Sequence, residues 1–550
     1  VNQRLIVLAL DGVTFDLIEP WVAQGLLPNL AKLIKSGAYG RMASTIPPIT
    51  GAAWSTFQTG LNPGKHSVFD WLVRQPQSYH LTPVSSHSIA HTLLWEYLST
   101  QGKRVGVIGV PVSYPARPIN GFMLTDLLTP EGENYAHPSG LKREIEKKLG
   151  PYPVMPDHWR GRHAAMRWVD GLRSSLAQRI KTALYLAETN PWDFLMVHMM
   201  ETDSVQHQMW HILDGETRAA YRTYGVSGNP ILEIYQQADR AVGEFVSRFT
   251  DATLFVISDH GFGPLHYNIH LNCWLLNQGY LKLKKNPATL LKRLGYELGL
   301  TAFNINHFAE ESKLLERGAK LRHIEVHELF GRYFLSMQNI DWSKTRAYSY
   351  GNVGQIFLNL KGREPLGIVE KPDVESILHT LIEDLKNLKN PLNGEKAIAA
   401  VYRKEEIYHG DRLDQSAELI LAPADKYMAI GTSEFLANRA VTPAYAGSGW
   451  HRPEGVFIAA GESVQRGLLK GLAIVDMFPN ILCAMGLPLR SDLDGDIHPG
   501  LFANAYLNQY ETLQKSKIKI EASDAQLARE GLVTGYDQQI RKRLKGMGYI

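Results

Sequence analysis

Three apolar runs in this chain end on acids. Asp11 closes RLIVLAL, Asp203 stands just past FLMVHMM, and Asp259 follows LFVIS with His260 directly after it. In open α/β sheets, ligands collect beyond the carboxyl ends of the strands, so these positions are where a carboxylate can do chemistry. Asp203 and His207 lie four apart in DSVQH, the spacing that puts both side chains on one face of a helical turn. His451, in WHRPEGVF, precedes its apolar run, and if that strand runs antiparallel His451 reaches the same edge of the sheet. Taken singly, each acid fits a helix N-cap and each histidine a satisfied core residue. Three carboxylates at one edge, however, repel one another unless cations lie between them, and this points to a metal centre. His211 continues the Asp203 and His207 stripe and ranks below His207 as a ligand; His266 and His270 rank lower still.

A candidate nucleophile sits in STIPPITGAAWSTFQTG. Pro47 and Pro48 break the chain, and a small-residue helix opens at Thr50. The first N–H groups of a helix have no intrahelical partner, so those of Gly51 and Ala52 can receive an anion. Position alone also fits Thr50 as an N-cap. A threonine hydroxyl of ordinary pKa is a poor nucleophile, so a catalytic role for Thr50 demands a metal to hold it as alkoxide.

The elements that must position these groups read as a mostly parallel sheet flanked by helices. Leu5 to Leu10, Val105 to Val110, Phe194 to Met200 and Thr253 to Ser258 are continuous apolar runs between amphipathic helical stretches, the pattern of strands buried on both faces. Gln355 to Leu360, Leu419 to Ala422 and Val456 to Ala460 extend it. A lysine-rich helical stretch from Leu281 to about Leu329 has no strand of its own. The expected organisation is one catalytic α/β domain over residues 1–502, with cap insertions at about 66–180 and 281–350. A helical extension follows over 503–550, periodic in Ala525 to Leu532 and Gln538 to Leu544.

Composition narrows the functional classes. The 550 residues carry 58 Lys and Arg against 55 Asp and Glu, a net charge of +3, so no global field favours nucleic acid or an anionic membrane. Cys273 and Cys483 are too few for a disulfide framework or a Cys-based zinc cluster, which leaves His, Asp and Glu as ligands among 20 histidines. No run of eighteen apolar residues suggests a membrane span, and VNQRLIVLAL reads as a buried strand rather than a signal. The expectation is a cytoplasmic protein, with room for a leader already removed.

Together these residues resemble a known family. LDGVTFD, the threonine at a proline-broken helix start, LNPGKH, the Asp-x-x-x-His pair, SDHGFG and WHRPEGVF occur in the order seen in the alkaline phosphatase superfamily. More narrowly they are similar to its type I phosphodiesterase and nucleotide pyrophosphatase branch. The resemblance spans about residues 4 to 500, and it implies an alkaline phosphatase-like α/β core with two divalent metal ions, most often zinc, with manganese or magnesium as alternatives. It assigns Asp11, Thr50, Asp259 and His260 to one metal and Asp203, His207 and His451 to the other. It makes Thr50 the nucleophile, transiently phosphorylated, with retention at phosphorus. Asp476 to Gly495 is similar to the family's closing segment and is taken as structural. By formal charge, two divalent ions against three carboxylates and an alkoxide leave about zero, so an anionic phosphoryl group is not repelled.

One departure stands out. In nucleotide pyrophosphatases an Asn contacts the phosphate in a run resembling HGIxDN, whereas here His66 leads to Asp70 and Trp71, with Trp71 at the Asn position. Phosphate contacts then fall to the metals and the Gly51 N–H, with Arg452 and Lys65 as further candidates. The expected activity is hydrolysis of a small-molecule phosphate ester, a phosphodiester or nucleotide-like pyrophosphate first. Phosphomonoesterase, phosphonate hydrolase or phosphomutase chemistry is the alternative, and a non-catalytic binding module the remote one. Thr50-Gly51-Ala52-Ala53-Trp54 lacks the Cys-x-Pro-x-Arg or Ser-x-Pro-x-Arg context of arylsulfatases, and cofactor-independent phosphoglycerate mutases use Ser.

Overall fold

The structure is a computed structural model that describes residues 4–155, 164–216, 226–301, 303–305, 333–431, 435–444, 447–516 and 536–547. Its centre is a ten-stranded sheet. The longer strands are β1 (Arg4–Leu10), β2 (Ala38–Ala43), β3 (Val105–Ile108), β4 (Gly121–Leu124), β5 (Phe194–Met199), β6 (Ala252–Ile257) and β7 (Glu454–Ala460). Their spatial order is β2, β7, β6, β1, β5, β3, β4, with short strands at both margins. β6, β1, β5, β3 and β4 run parallel, whereas β7 runs antiparallel to both β2 and β6. The four runs read first in the sequence are therefore the sheet's parallel centre, and Val456 to Ala460 joins it in the opposite sense.

Helices cover both faces, as strands apolar on both sides require. One layer is built on Thr50–Thr59 and Met477–Ala484, the other on Ala165–Thr189 and Pro230–Arg248, whose buried stripes pack on alternate residues of β1: Leu5, Val7 and Ala9 to one side, Ile6, Leu8 and Leu10 to the other.

Gln355 to Leu360 and Leu419 to Ala422 do not extend this sheet. They form strands Gln355–Leu358 and Leu419–Pro423 of a separate antiparallel sheet, completed by Ala347–Tyr350 and Ile398–Arg403. That sheet buries Ile356, Leu358, Leu419 and Leu421 with Leu378 and Leu381 of helix Lys371–Lys386 in a core of its own. A short apolar run reports burial, and burial by a helix on an antiparallel sheet looks the same as burial in a parallel one.

The stretch 66–180 contributes β3 and β4 to the central sheet together with the hairpin Leu72–Arg74 and Leu81–Pro83. Within 281–350, helix Pro287–Glu297 is described, and residues 306–332 lie outside the described residues. Ala525 to Leu532 also lies outside them. The helices Asn504–Ser516 and Asp537–Met547 are docked: Tyr506 donates to the Cys483 carbonyl at 2.6 Å, Tyr510 to that of Leu487 at 2.7 Å, and Leu544 is fully buried.

Candidate metal centre

Strand register brings the acids together. Leu10 of β1 pairs with Met199 of β5, and Ala9 pairs with Ile257 of β6, so Asp11, the turn after β5 and Asp259 leave the sheet side by side. Helix α1, Glu201–Met209, starts there and presents Asp203 and His207 one turn apart. His451 lies in Gly449–Arg452, paired antiparallel with Gly261–Pro264 so that it stands opposite Phe262. Gly12 follows Asp11 at φ +65, and a Cβ there would meet Asp203 Oδ1 at 3.2 Å and Phe262 at 3.0 Å, so the turn is closed to side chains.

Two clusters result. In the first, His451 Nε2 lies 3.1 Å from His207 Nε2 and 3.3 Å from Asp203 Oδ1, and His207 Nε2 lies 3.4 Å from the same oxygen. In the second, His260 Nε2 lies 3.3 Å from Asp259 Oδ2, 3.6 Å from Asp11 Oδ1 and 3.1 Å from Thr50 Oγ1. The His260 and His451 rings stack at 3.7 Å and bridge the two. All seven side chains are buried.

The rings are fixed in one tautomer. Nδ1–H of His451 donates to the Pro48 carbonyl at 2.9 Å, that of His207 to Gly449 at 3.2 Å, and that of His260 to Gly261 at 3.0 Å. Each Nε2 is thereby left as a lone-pair donor aimed into its cluster, the arrangement by which histidine binds metal. Asp11 Oδ1 and Asp259 Oδ2 are buried without a hydrogen-bond partner among the described residues. Burial, then the neighbouring Asp203 charge, pushes the Asp11 carboxyl well above its ordinary range; burial, then Asp11 and Asp203, does the same to Asp259. Burial, then His451, keeps His260 neutral. Orphaned oxygens beside convergent lone pairs fit divalent cations, and Asp11, Asp259 and His260, like Asp203, His207 and His451, lie close enough together to hold one ion per set.

Thr50 is the first residue of helix Thr50–Thr59, and Ile49 takes the N-cap position, so the hydroxyl is not spent on capping. With His260 Nε2 unprotonated, Thr50 O–H donates to it. Ala53 N, bonded to the Ile49 carbonyl, is the first amide to close the helix, which leaves the N–H groups before it aimed outward at its start. Trp71 packs on that start: a Cβ on Gly51 would meet its ring at 3.4 Å.

Two residues absent from the sequence reading orient Asp11. Trp54 Nε1 donates to Asp11 Oδ2 at 3.0 Å, and His198 Nε2 donates to the same oxygen at 2.7 Å. Trp54 lies one turn beyond Thr50 on the same helix. His198 is the single polar residue of β5 (FLMVHM), and a histidine inside an otherwise apolar strand was the signal available.

Arg452 and Lys65 are engaged elsewhere. Arg452 donates to the Pro264 carbonyl at 2.7 Å and pairs with Asp425, while Lys65 pairs with Asp494 of the closing segment. His211 contacts Ser448, His266 pairs with Asp214, and His270 contacts Thr442.

Fold and site first define a class: an alkaline phosphatase-like α/β hydrolase core whose buried carboxylate and imidazole clusters can hold metal. A family model described as type I phosphodiesterase / nucleotide pyrophosphatase matches residues 5–451, and the chain belongs to that family. The family hydrolyses phosphoric ester bonds, which makes this chain an enzyme of that hydrolase class. Among solved structures, phosphonoacetate hydrolase of Sinorhizobium meliloti 1021, in complex with phosphonoformate, is 16% identical with a TM-score of 0.52 over 88% of this chain and 96% of that one. It shares the fold. Murine ectonucleotide pyrophosphatase / phosphodiesterase 5 is 12% identical with a TM-score of 0.47, over 90% and 97%. A comparison with curated proteins gave no match. Among the described residues, no helix is long and apolar enough to cross a membrane.

Proposed function

We propose that the chain hydrolyses phosphodiesters or nucleotide-like pyrophosphates through a phosphorylated Thr50, with two divalent ions, zinc before manganese or magnesium. Asp11, Thr50, Asp259 and His260 would hold one ion and Asp203, His207 and His451 the other. The observation that carries this reading is the common orientation of the three imidazoles, each Nδ1–H on a backbone carbonyl and each Nε2 turned toward buried carboxylates, with Thr50 Oγ1 3.1 Å from one of them.

Bound ions would neutralise the carboxylates, favour the ionised Thr50 hydroxyl and draw charge from the phosphoryl oxygens. The chain's own groups supply position. Thr50 Oγ1, held at the start of its helix, would attack phosphorus in line. The outward N–H groups of Gly51 and Ala52 offer donors to the oxygen that gains charge. His198 and Trp54 hold the Asp11 carboxylate in one orientation. Departure of the alcohol or phosphate leaves phospho-Thr50, and attack by water regenerates the hydroxyl. Two displacements give retention. The same groups would serve a phosphonate, and Trp71 in place of the family's Asn leaves nucleotide preference open to test. Two buried, unpaired cysteines suit a reducing cytoplasm, which belongs to the same reading.

The test is metal analysis of the purified protein together with hydrolysis of bis(p-nitrophenyl) phosphate and a panel of monoesters, pyrophosphates and phosphonates. Two ions per chain and diesterase activity lost in Thr50→Ala are expected. An active Thr50→Ala variant, or inversion with a chiral phosphorothioate, overturns the nucleophile.

A further inference from the structure

A cavity of about 830 Å³ opens between the hairpin Leu72–Arg74 and Leu81–Pro83 and the antiparallel sheet unit. None of the seven candidate ligands lines it. Its volume is within the range that encloses a drug-sized molecule. Part of the wall is apolar, with Phe69, Leu72, Val84 and Val374. The rest is cationic: Arg74, Lys361, Arg363, Lys371 and Arg412 line it against the single carboxylate of Asp414.

Most of those cations are matched, but Arg74, though buried, has only a long pair with a carboxylate shared by other donors. Its side chain is only 8% exposed, and its closest carboxylate, Glu364 Oε1, is 3.8 Å away. Among the described residues its Nε has no hydrogen-bond partner. Glu364 is already engaged by Arg363 Nε at 2.8 Å, the Leu360 N–H at 2.8 Å and the Tyr348 hydroxyl at 3.2 Å. Glu418 serves Arg363 and Lys404. Two carboxylates thus face three cations, and the surplus positive charge falls at Arg74. A buried guanidinium short of partners costs stability and is complete only when an anion arrives. Lys371, exposed at the rim, has no ion pair among the described residues.

We propose that this cavity is a second binding site, taking an organic anion whose carboxylate, phosphate or sulfonate meets Arg74 and whose apolar body lies against Phe69, Leu72, Val84 and Val374. The anion is either the remote end of the substrate, which rests on the function proposed above, or a separate effector.

The probe is 8-anilinonaphthalene-1-sulfonate, which has the required charge and apolar body and no ester to hydrolyse. Titrated into the metal-loaded full chain, it should bind about tenfold more tightly than the uncharged N-phenyl-1-naphthylamine. Arg74→Gln should weaken it about tenfold without lowering the unfolding temperature, because the variant removes a buried charge that is only partly compensated. Lys371→Glu, an exposed change that leaves the fold alone, should weaken it about threefold. Thr50→Ala should bind it like the parent, which separates this site from the catalytic reading. Affinity within about twofold of the parent in both Arg74→Gln and Lys371→Glu overturns the proposal. A dye that raises KM for bis(p-nitrophenyl) phosphate at constant kcat marks the site as the substrate's remote end, and one that changes kcat marks an effector site.

Discussion

His198 Nε2 lies 2.7 Å from Asp11 Oδ2, both side chains fully buried, and this contact fixes which oxygen of Asp11 faces the metal cluster. Oδ2 is occupied by His198 and Trp54, so Oδ1 is the atom turned to His260. Burial, then the Arg179 charge, lowers the His198 pKa to about 3, so the ring is a neutral donor throughout the physiological range. Replacing it by Phe keeps the volume and removes the donor. His198→Phe should bind metal about 10- to 100-fold more weakly, with activity restored in part by excess metal. Metal titration followed by activity checks this; unchanged affinity would remove His198 from the centre.

Thr50→Ala should lower kcat by at least about a thousandfold while the protein still takes up metal, because the cluster of Asp203, His207 and His451 does not include Thr50. Thr50→Ser, which keeps the hydroxyl, should retain measurable turnover. Chelation should lower the unfolding temperature of both variants, and metal at about a hundredfold over Kd should return about 2.7 kcal/mol. Calorimetry with and without chelator reads this directly.

Asp126 gives the pH dependence. It is buried in the loop after β4, accepts from the Val112 N–H at 2.6 Å, and leaves Oδ1 without a hydrogen-bond partner among the described residues. Burial raises its pKa to about 7. A carboxyl raised on folding favours the fold fully below its unfolded pKa of about 4, and that contribution is lost as pH rises through the folded value near 7. Asp126→Asn escapes the loss. It should be more stable than the parent by roughly 2 kcal/mol at about pH 8, with the gain gone by about pH 4. Chemical denaturation at the two pH values is the measurement, and a gain independent of pH would contradict it.

Glu201 and Arg179 form an ion pair at 3.2 Å with side-chain exposures of 0% and 2%, at the start of the helix that carries Asp203. Glu201→Gln leaves a guanidinium buried without its counter-charge and should cost about 3 to 5 kcal/mol. The exposed pair Arg293 and Glu297, at 2.8 Å, is the control: Glu297→Gln should change stability by less than about 0.5 kcal/mol. Equal effects in the two variants would show that burial is not what matters.

The centre of the fold was legible because β1, β3, β5 and β6 are apolar on both faces, a pattern that few other elements share. The acids were legible for a related reason: Asp11 and Asp259 interrupt those runs at the strand ends. His451 required a condition, the antiparallel sense of β7, that no local pattern encodes, because direction is settled by the partner strand. The antiparallel sheet around Gln355–Leu358 was misassigned on the same ground. His198 and Trp54 escaped notice because their partner, Asp11, is far away in sequence, and only pairing in space gives them a role. The cavity beside Arg74 is likewise invisible along the chain: its charge balance depends on Glu364 and Glu418, which arrive from other strands and loops.

The antiparallel entry of β7 also orders events in time. His451, which completes one cluster, meets the Pro48 carbonyl 403 residues earlier in the chain and a partner imidazole 244 residues earlier. Contacts of such long span form late, because the loop must close before they repay its entropy. During synthesis, Asp11, Asp203, His207, Asp259 and His260 all emerge while the strand bearing His451 is still unmade. A nascent chain therefore carries a full set of acids but only an incomplete cage until the strand Gly449–Arg452 pairs with Gly261–Pro264.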